Sequence, residues 1–430
     1  DSVRQHNLDL AFTPKENRHE AALDQARFYF ANGWAPETLG WIRRAVEEAP
    51  WLEKDPAVHA LRGAANVMLD RLDSAGDDLF NESLDASAEM ALWRGLFLTK
   101  SGQLGEAARQ FARSGDLIDR YPAMLRAPFR LLMAEASIGV RKLETANAML
   151  DLVMVDRPKQ RLVDRGAYLR GLLTAVAGRP LDAIDLLAQP AQSEDRQTRG
   201  LAARARIELM MDQGMLPPED VIEALESLRF VWRGGDFELN LLSRLGELYV
   251  ANGQYDSGLN TYREVISVFP DSPKVREIAQ IMNDSFVDLF LGGLADQMAP
   301  IAALAIYNDF RELTPVGNLG DQLIFRLSDR LVSVDLLEQA AKLLQHQVEY
   351  RLQGVELARV GARLAQIYLL DEKPDEAATA LGASDVVRLD PLLADQRRYQ
   401  LGRARAKMEQ FDAALDLLRG DQSREANRLR

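Results

Sequence analysis

Apolar residues recur every three to four positions through most of the chain, in short runs broken by glycine, proline and acidic residues. That spacing belongs to amphipathic α-helices. No stretch alternates apolar and polar residues with the Val, Ile and Thr content of a strand, so no sheet is predicted. The clearest unit spans residues 242–270. Leu245, Gly246 and Tyr249 lie on one predicted helix, Gly253 and Tyr255 mark a turn, and Gly258, Tyr262 and Val265 lie on a second helix that Pro270 ends. Small residues such as Gly246 and Gly258 let two antiparallel helices approach closely. Tyr249 and Tyr262 fill the space around them, and Pro270 cannot continue a helix.

Weaker copies of this order tile the rest of the chain. They fall at residues 22–50, 58–81, 91–122, 129–158, 167–188, 201–232, 275–315, 323–348, 360–381 and 399–418. The small residues of successive second helices, Ala75, Ala107, Ala146 and Ala183, are 32, 39 and 37 positions apart. The scatter implies links of uneven length. Pro217-Pro218-Glu219 opens one second helix, with prolines suited to a first turn. The apolar stretch 289–307 contains Asp296, Gln297 and Pro300, so it reads as two packed helices and not as a membrane span. The glycine-containing segment 314–321 lacks the lysine and the preceding strand of a phosphate loop and reads as a turn between repeats.

The order of Leu-Gly, Tyr, a glycine turn, a small residue, an aromatic and a closing proline in residues 242–270 resembles the tetratricopeptide repeat. The likeness departs at Leu242, where Trp is usual, and at Gly258, where Ala is usual. It covers roughly residues 20–420, strongly at 242–270 and weakly elsewhere. The resemblance implies an all-α, right-handed superhelical solenoid of about eleven antiparallel helix pairs. It also implies that first helices line a concave groove. The residues it places there are Arg165, Tyr168 and Leu172, then Asn240, Ser243 and Glu247, then Tyr399 and Arg403. The Lys/Asn/Arg clamp of family members that bind acidic C-terminal tails is not recognisable at these positions.

Four segments are expected. Residues 1–20 form a polar leader or linker. Residues 21–232 and 233–422 carry two runs of repeats. Residues 423–430 start a further helix, which suggests that the parent polypeptide extends further.

Composition narrows the chemistry. The chain has 430 residues, a net charge of −13 and no cysteine. An acidic balance argues against nucleic acid as the partner. Absence of Cys removes disulfides, thiol catalysis and Cys-ligated metal. Charge is uneven: residues 101–200 carry a net +3 and residues 201–350 a net −11. The four histidines, His6, His19, His59 and His346, show no metal-ligand spacing, so no metal and no cofactor are expected. His59 is expected to pack inside its helix pair. Asp77-Asp78 and Asp371-Glu372 fall beside turns and are expected to be solvated. Among the tryptophans, Trp41, Trp51, Trp93 and Trp232 are read as packing residues, and Trp34, next to Gly33 in a turn, as an exposed anchor for a partner.

The expected function is a non-catalytic protein–protein interaction scaffold. Use of Arg, Ala and Asp without Cys resembles bacterial proteins and, loosely, repeat scaffolds of the envelope around pili and flagellar motors. The periplasm or envelope is the expected location, with the cytoplasm as the alternative. Two other readings stay open: a helical accessory region of a cell-wall-active enzyme, and a self-associating structural protein.

Overall fold

A computed structural model of the protein describes Pro14 and residues 17–430. Among the described residues there are twenty-three α-helices and no strand. His6 and most of the expected leader lie outside the described residues. Contacts divide the chain into two compact units, meeting at Glu238 and Leu239.

The helices run in successive antiparallel pairs. The first unit contains α1 (Arg18–Ala31) with α2 (Ala35–Glu48), α3 (Pro56–Met68) with α4 (Leu72–Leu79), and α5 (Ala88–Lys100) with α6 (Leu104–Ser114). It continues with α7 (Ala123–Gly139) and α8 (Leu143–Val155), α9 (Gln160–Val176) and α10 (Pro180–Ala188), and α11 (Arg196–Asp212) and α12 (Pro218–Leu228). Helix α13 (Gly235–Ala251) leads into the second unit, where it pairs with α14 (Tyr255–Val268). Then follow α15 (Val275–Leu291) and α16 (Pro300–Asp309), α17 (Asn318–Ser333) and α18 (Leu337–Tyr350), and α19 (Gly354–Leu370) and α20 (Pro374–Ala383). The last are α21 (Pro391–Lys407), α22 (Phe411–Leu417) and the short α23 (Arg424–Leu429). Pro218 and Pro300 open their helices in the first turn, where a missing N–H costs nothing.

One local device sets most of these pairs. In nine of them the two helices are joined by three residues, and the middle one has a left-handed backbone. At the end of α13, the Gly253 N–H donates to Val250 O at 3.0 Å and the Gln254 N–H to Tyr249 O at 2.8 Å. Those two bonds satisfy carbonyls that the helix end leaves open, which is the Schellman arrangement. The same pair of bonds closes α1 at Gly33 and α5 at Gly102. Glycine accepts a positive φ without strain. Five of the turns instead put Asp70, Arg141, Asp335, Glu372 or Glu409 there, at φ between +55° and +63°.

This turn also fixes a packing register. Seven residues before the left-handed position, the first helix carries Gly63, Gly95, Gly171 or Gly246. Nine residues after it, the second helix carries Leu79, Phe111, Leu187 or Tyr262. A Cβ on these four glycines would stand 2.9, 2.5, 2.6 and 2.5 Å from that partner side chain. Where the first helix carries Ala26, Ala134 or Ala365 instead, the opposing position holds Ile42, Leu150 or Leu381. The second-helix residues Ala75, Ala107, Ala146, Ala183, Ala340 and Ala377, five after the turn, are fully buried.

Arginines tie pairs together at helix C-termini, where the dipole favours a cation. Arg94 on α5 donates to Leu79 O at 2.6 Å at the end of α4 and pairs with Asp85 at 2.9 Å. Arg397 on α21 donates to Leu381 O at 2.7 Å at the end of α20, and also to Ala358 O at 2.6 Å near the start of α19.

Two expectations need correction. Asp78 is not solvated: it is 5% exposed, and its carboxylate takes two bonds of 2.8 Å from Arg62 and one of 2.7 Å from His59 across the α3–α4 pair. A buried carboxylate needs such partners, and none is adjacent to it in sequence. Trp51 is not a packing residue: it is exposed, meeting the His19 ring edge-on with ring centroids 5.4 Å apart. Trp93 is fully buried and donates from Nε1 to the Tyr121 hydroxyl at 2.8 Å.

Candidate functional site

The turn register explains why the expected partner-facing residues form one class. Leu172, Glu247 and Arg403 each stand six residues before a left-handed position. Tyr168, Ser243 and Tyr399 stand ten before it, and Arg165 and Asn240 thirteen before it. Steps of three and four share a helix face. All eight residues therefore occupy the same face of first helices α9, α13 and α21, but the structure does not gather them into one cavity.

Their environments differ. On α9, Arg165 pairs with Glu135 of α7 at 2.9 Å and lies 4.9 Å over the Tyr168 ring. Tyr168 is 8% exposed, packed with Leu131, Leu169 and Ala202, and burial raises its hydroxyl pKa. It is a packing residue, which corrects the expectation that it faces a groove. The ring is held by the following first helix, α11, which helical spacing within α9 does not reveal. On α13, Asn240 accepts from Lys274 Nζ at 2.7 Å, Ser243 donates to Leu239 O at 2.7 Å, and Glu247 pairs with Arg244 at 2.8 Å. Trp34 is 45% exposed and stacks on Tyr29 at 5.6 Å.

Tyr399 and Arg403 do line a groove. It lies between the first helices α19 and α21, with Glu425 of α23 also lining it, and has a volume of about 930 Å³. Leu369, Leu370 and Gln366 form the α19 wall; Leu392, Gln396, Tyr399, Gln400 and Arg403 form the α21 wall. Leu370 is 54% exposed and Leu392 80% exposed. Ionic pairs tie its rim: Arg403 to Glu425, Lys407 to Glu372, and Arg398 to Asp395 at 2.8 Å. The Tyr399 hydroxyl donates to Asp421 at 2.7 Å and lies 2.9 Å from Ser423 Oγ. That hydroxyl bond, with the Ser423 N–H and hydroxyl and the Arg398 charge, lowers the Asp421 carboxyl to about 2.

The residues missed by sequence reasoning are the wall leucines and glutamines. A signal was present: Gln366 repeats Arg403's place six before the turn, and Leu370 repeats Lys407's place two before it. A second groove of about 660 Å³, in the first unit, lies between α8 and α9, with Leu186 of α10 at its edge, and is crossed by the Arg170–Asp151 ion pair at 2.9 Å. Among the described residues no three His, Asp or Glu side chains converge as a metal site, and no helix is long and apolar enough to cross a membrane.

No known family profile matches the chain, and no curated protein matches it. Among solved structures it is similar to a tetratricopeptide repeat protein from Parabacteroides merdae, at 12% identity over 61% of this chain and 98% of that one, with a TM-score of 0.43. It is similar to a Rap protein complexed with competence and sporulation factor, at 13% identity over 82% of this chain and 100% of that one, with a TM-score of 0.47. The tetratricopeptide domain of P58(IPK) is similar at 18% identity over 91% of this chain and 98% of that one, with a TM-score of 0.29. The antiparallel pairs, the close approach at small residues and the recurrent left-handed turn make this a tetratricopeptide-like helical repeat fold.

Proposed function

We propose that the chain is a non-catalytic scaffold that binds a protein partner on the first-helix face of its second unit. The observation that carries this reading is the open groove between α19 and α21, with Leu370 and Leu392 largely exposed beside Tyr399. Single exposed leucines are ordinary. Two on opposite walls of one groove, flanked by an aromatic and by polar amides, have the make-up of a recognition surface. Trp34 of the first unit is a further anchor. We place the protein in a bacterial envelope assembly, such as one serving a pilus or a flagellar motor. The cysteine-free, Arg- and Ala-rich composition supports the bacterial part of that placement, and the envelope part extends the loose likeness to repeat scaffolds there.

The test is photo-cross-linking. A photoreactive residue is placed at Gln396 in the groove and, separately, at the exposed Arg419 outside it. The protein is then irradiated in a bacterial envelope extract and the adducts are identified by mass spectrometry. A protein cross-linked from position 396 and not from 419, and competed by unlabelled protein, is the expected result. Identical adducts from both positions, or none from 396, would overturn the proposal.

A further inference from the structure

The charges and amides of the α19–α21 groove specify what kind of segment it takes, an inference that rests on the partner-binding reading above. Each ionic side chain on the walls already has a counter-ion in the chain: Asp395 has Arg398, Arg403 has Glu425, and Lys407 has Glu372. A charged ligand would have to break one of these pairs and leave the displaced charge facing it, which cancels most of the electrostatic gain. The remaining lining is uncharged: aliphatic at Leu369, Leu370, Leu392 and Ala406, with Tyr399 and three glutamine amides.

One group in the wall is unsatisfied. Gln400 is 5% exposed, and its carboxamide oxygen has no hydrogen-bond partner. A buried acceptor left without a donor is costly, and native proteins rarely keep one without a reason. The last torsion of a glutamine is soft, so the amide can turn its oxygen toward a ligand without moving the backbone. Gln366 and Gln396, both exposed on the groove walls, offer further donors and acceptors. An extended peptide presents backbone N–H and C=O groups along its length and carries no charge of its own there.

We propose that this groove binds an extended, uncharged, aliphatic segment of a partner protein, with Leu370 and Leu392 contacting its side chains and Gln400 accepting one of its backbone N–H groups.

The experiment uses the full chain and three end-blocked, fluorescein-labelled decapeptides. One is built only from Leu, Ala, Ser and Asn, one carries four Glu, and one carries four Lys. Binding is read by fluorescence anisotropy at 50 and 500 mM NaCl. The uncharged peptide should bind at least tenfold tighter than either charged one. Its affinity should change less than twofold with salt, since screening acts on charges. Leu392→Asp and Gln400→Leu should each weaken it at least fivefold, and Leu415→Asp, outside the groove, should not. Gln400→Leu should also hold or raise Tm, because it removes an unpaired acceptor; a merely structural glutamine would lower Tm and leave affinity alone. Tighter, salt-sensitive binding of the Glu or Lys peptide overturns this inference but leaves the partner-binding reading standing. Binding of none of the three, or binding untouched by Leu392→Asp, also overturns it. The partner-binding reading fails separately, by the cross-linking result from position 396.

Discussion

Replacing Gly246 with alanine tests the packing register directly. The added Cβ would stand 2.5 Å from Tyr262 Cε1, 2.8 Å from Cδ1 and 2.9 Å from Cζ. Carbon atoms pack at about 3.5–4.0 Å, so the ring or the helix must yield by about 1 Å. Overpacking of this kind costs about 1–3 kcal/mol. Alanine also improves a helix interior by about 1 kcal/mol over glycine. The net effect should be a destabilisation of about 1 kcal/mol. Gly402 supplies the control. It holds the same place, seven residues before Glu409, in the same unit, yet a Cβ there meets nothing within 4 Å. Gly402→Ala should therefore stabilise by about 0.5–1 kcal/mol. The difference between the two variants isolates the clash, because the propensity gain is common to both.

A second arm adds Tyr262→Leu, because Leu150 and Leu381 hold that position where the first helix carries Ala134 and Ala365. The double variant should recover about 1–3 kcal/mol relative to the sum of the single effects. Native-state hydrogen exchange, read on peptides from residues 239–270 and 391–418, reports each local opening free energy. If Gly246→Ala and Gly402→Ala shift protection in the same direction by the same amount, or if the double variant is additive, the close approach at Gly246 is not what holds this pair.

Other consequences are equally direct. Glu409 is non-glycine at φ +61°; Glu409→Gly should raise the stability of the last pair by about 0.5–1 kcal/mol and Glu409→Val should lower it by more than 1 kcal/mol, both measured by thermal melting. Arg397 is buried, a burial that lowers its pKa, and it donates to the carbonyls of Leu381 and Ala358; Arg397→Met should cost about 1.5–3 kcal/mol in urea unfolding through the lost charge-assisted bonds, and a change below about 0.5 kcal/mol would contradict that. Asp421 is lowered to about 2, first by the Tyr399 hydroxyl, so the latch it makes is fully formed above the ordinary carboxylate range near pH ~4 and is lost as pH falls through about 2. The Asp421 carboxyl carbon resonance should titrate at that low midpoint and move upward in Tyr399→Phe; an ordinary midpoint would refute the assignment.

Periodic signals carried the sequence reading furthest. Spacing of apolar residues placed the α13–α14 pair, and Pro218 and the break at Asp296–Pro300 marked helix starts that the structure keeps. Turn glycines such as Gly33 and Gly253 were legible because their residue type and their backbone conformation coincide. Asp70, Arg141, Asp335, Glu372 and Glu409 adopt the same conformation without that residue type. Their shape is imposed by the helix packing on either side, and no local signal announces it. Burial of Asp78 and Tyr168 escaped for a related reason. Arg62 and His59 approach Asp78 from the partner helix of its pair, and Tyr168 is covered by the next first helix. For the groove, one wall was readable at Tyr399 and Arg403, whereas Gln366, Leu370 and Leu392 became partners only through the juxtaposition of α19 with α21.

The constancy of the three-residue turn, set against links of three to eight residues between successive pairs, has a mechanical consequence. Within either unit the pair should therefore behave as the cassette and the longer links as the joints. A chain under tension should yield one cassette at a time, not as a whole. Residues 354–383, which make up the α19–α20 pair, would pay out about 100 Å of contour length when drawn straight, several times the length of the folded helices. Stretching in an optical trap should therefore give a staircase of extensions of that size, with the remaining pairs still folded at each step, and a single rip spanning a whole unit would refute the reasoning.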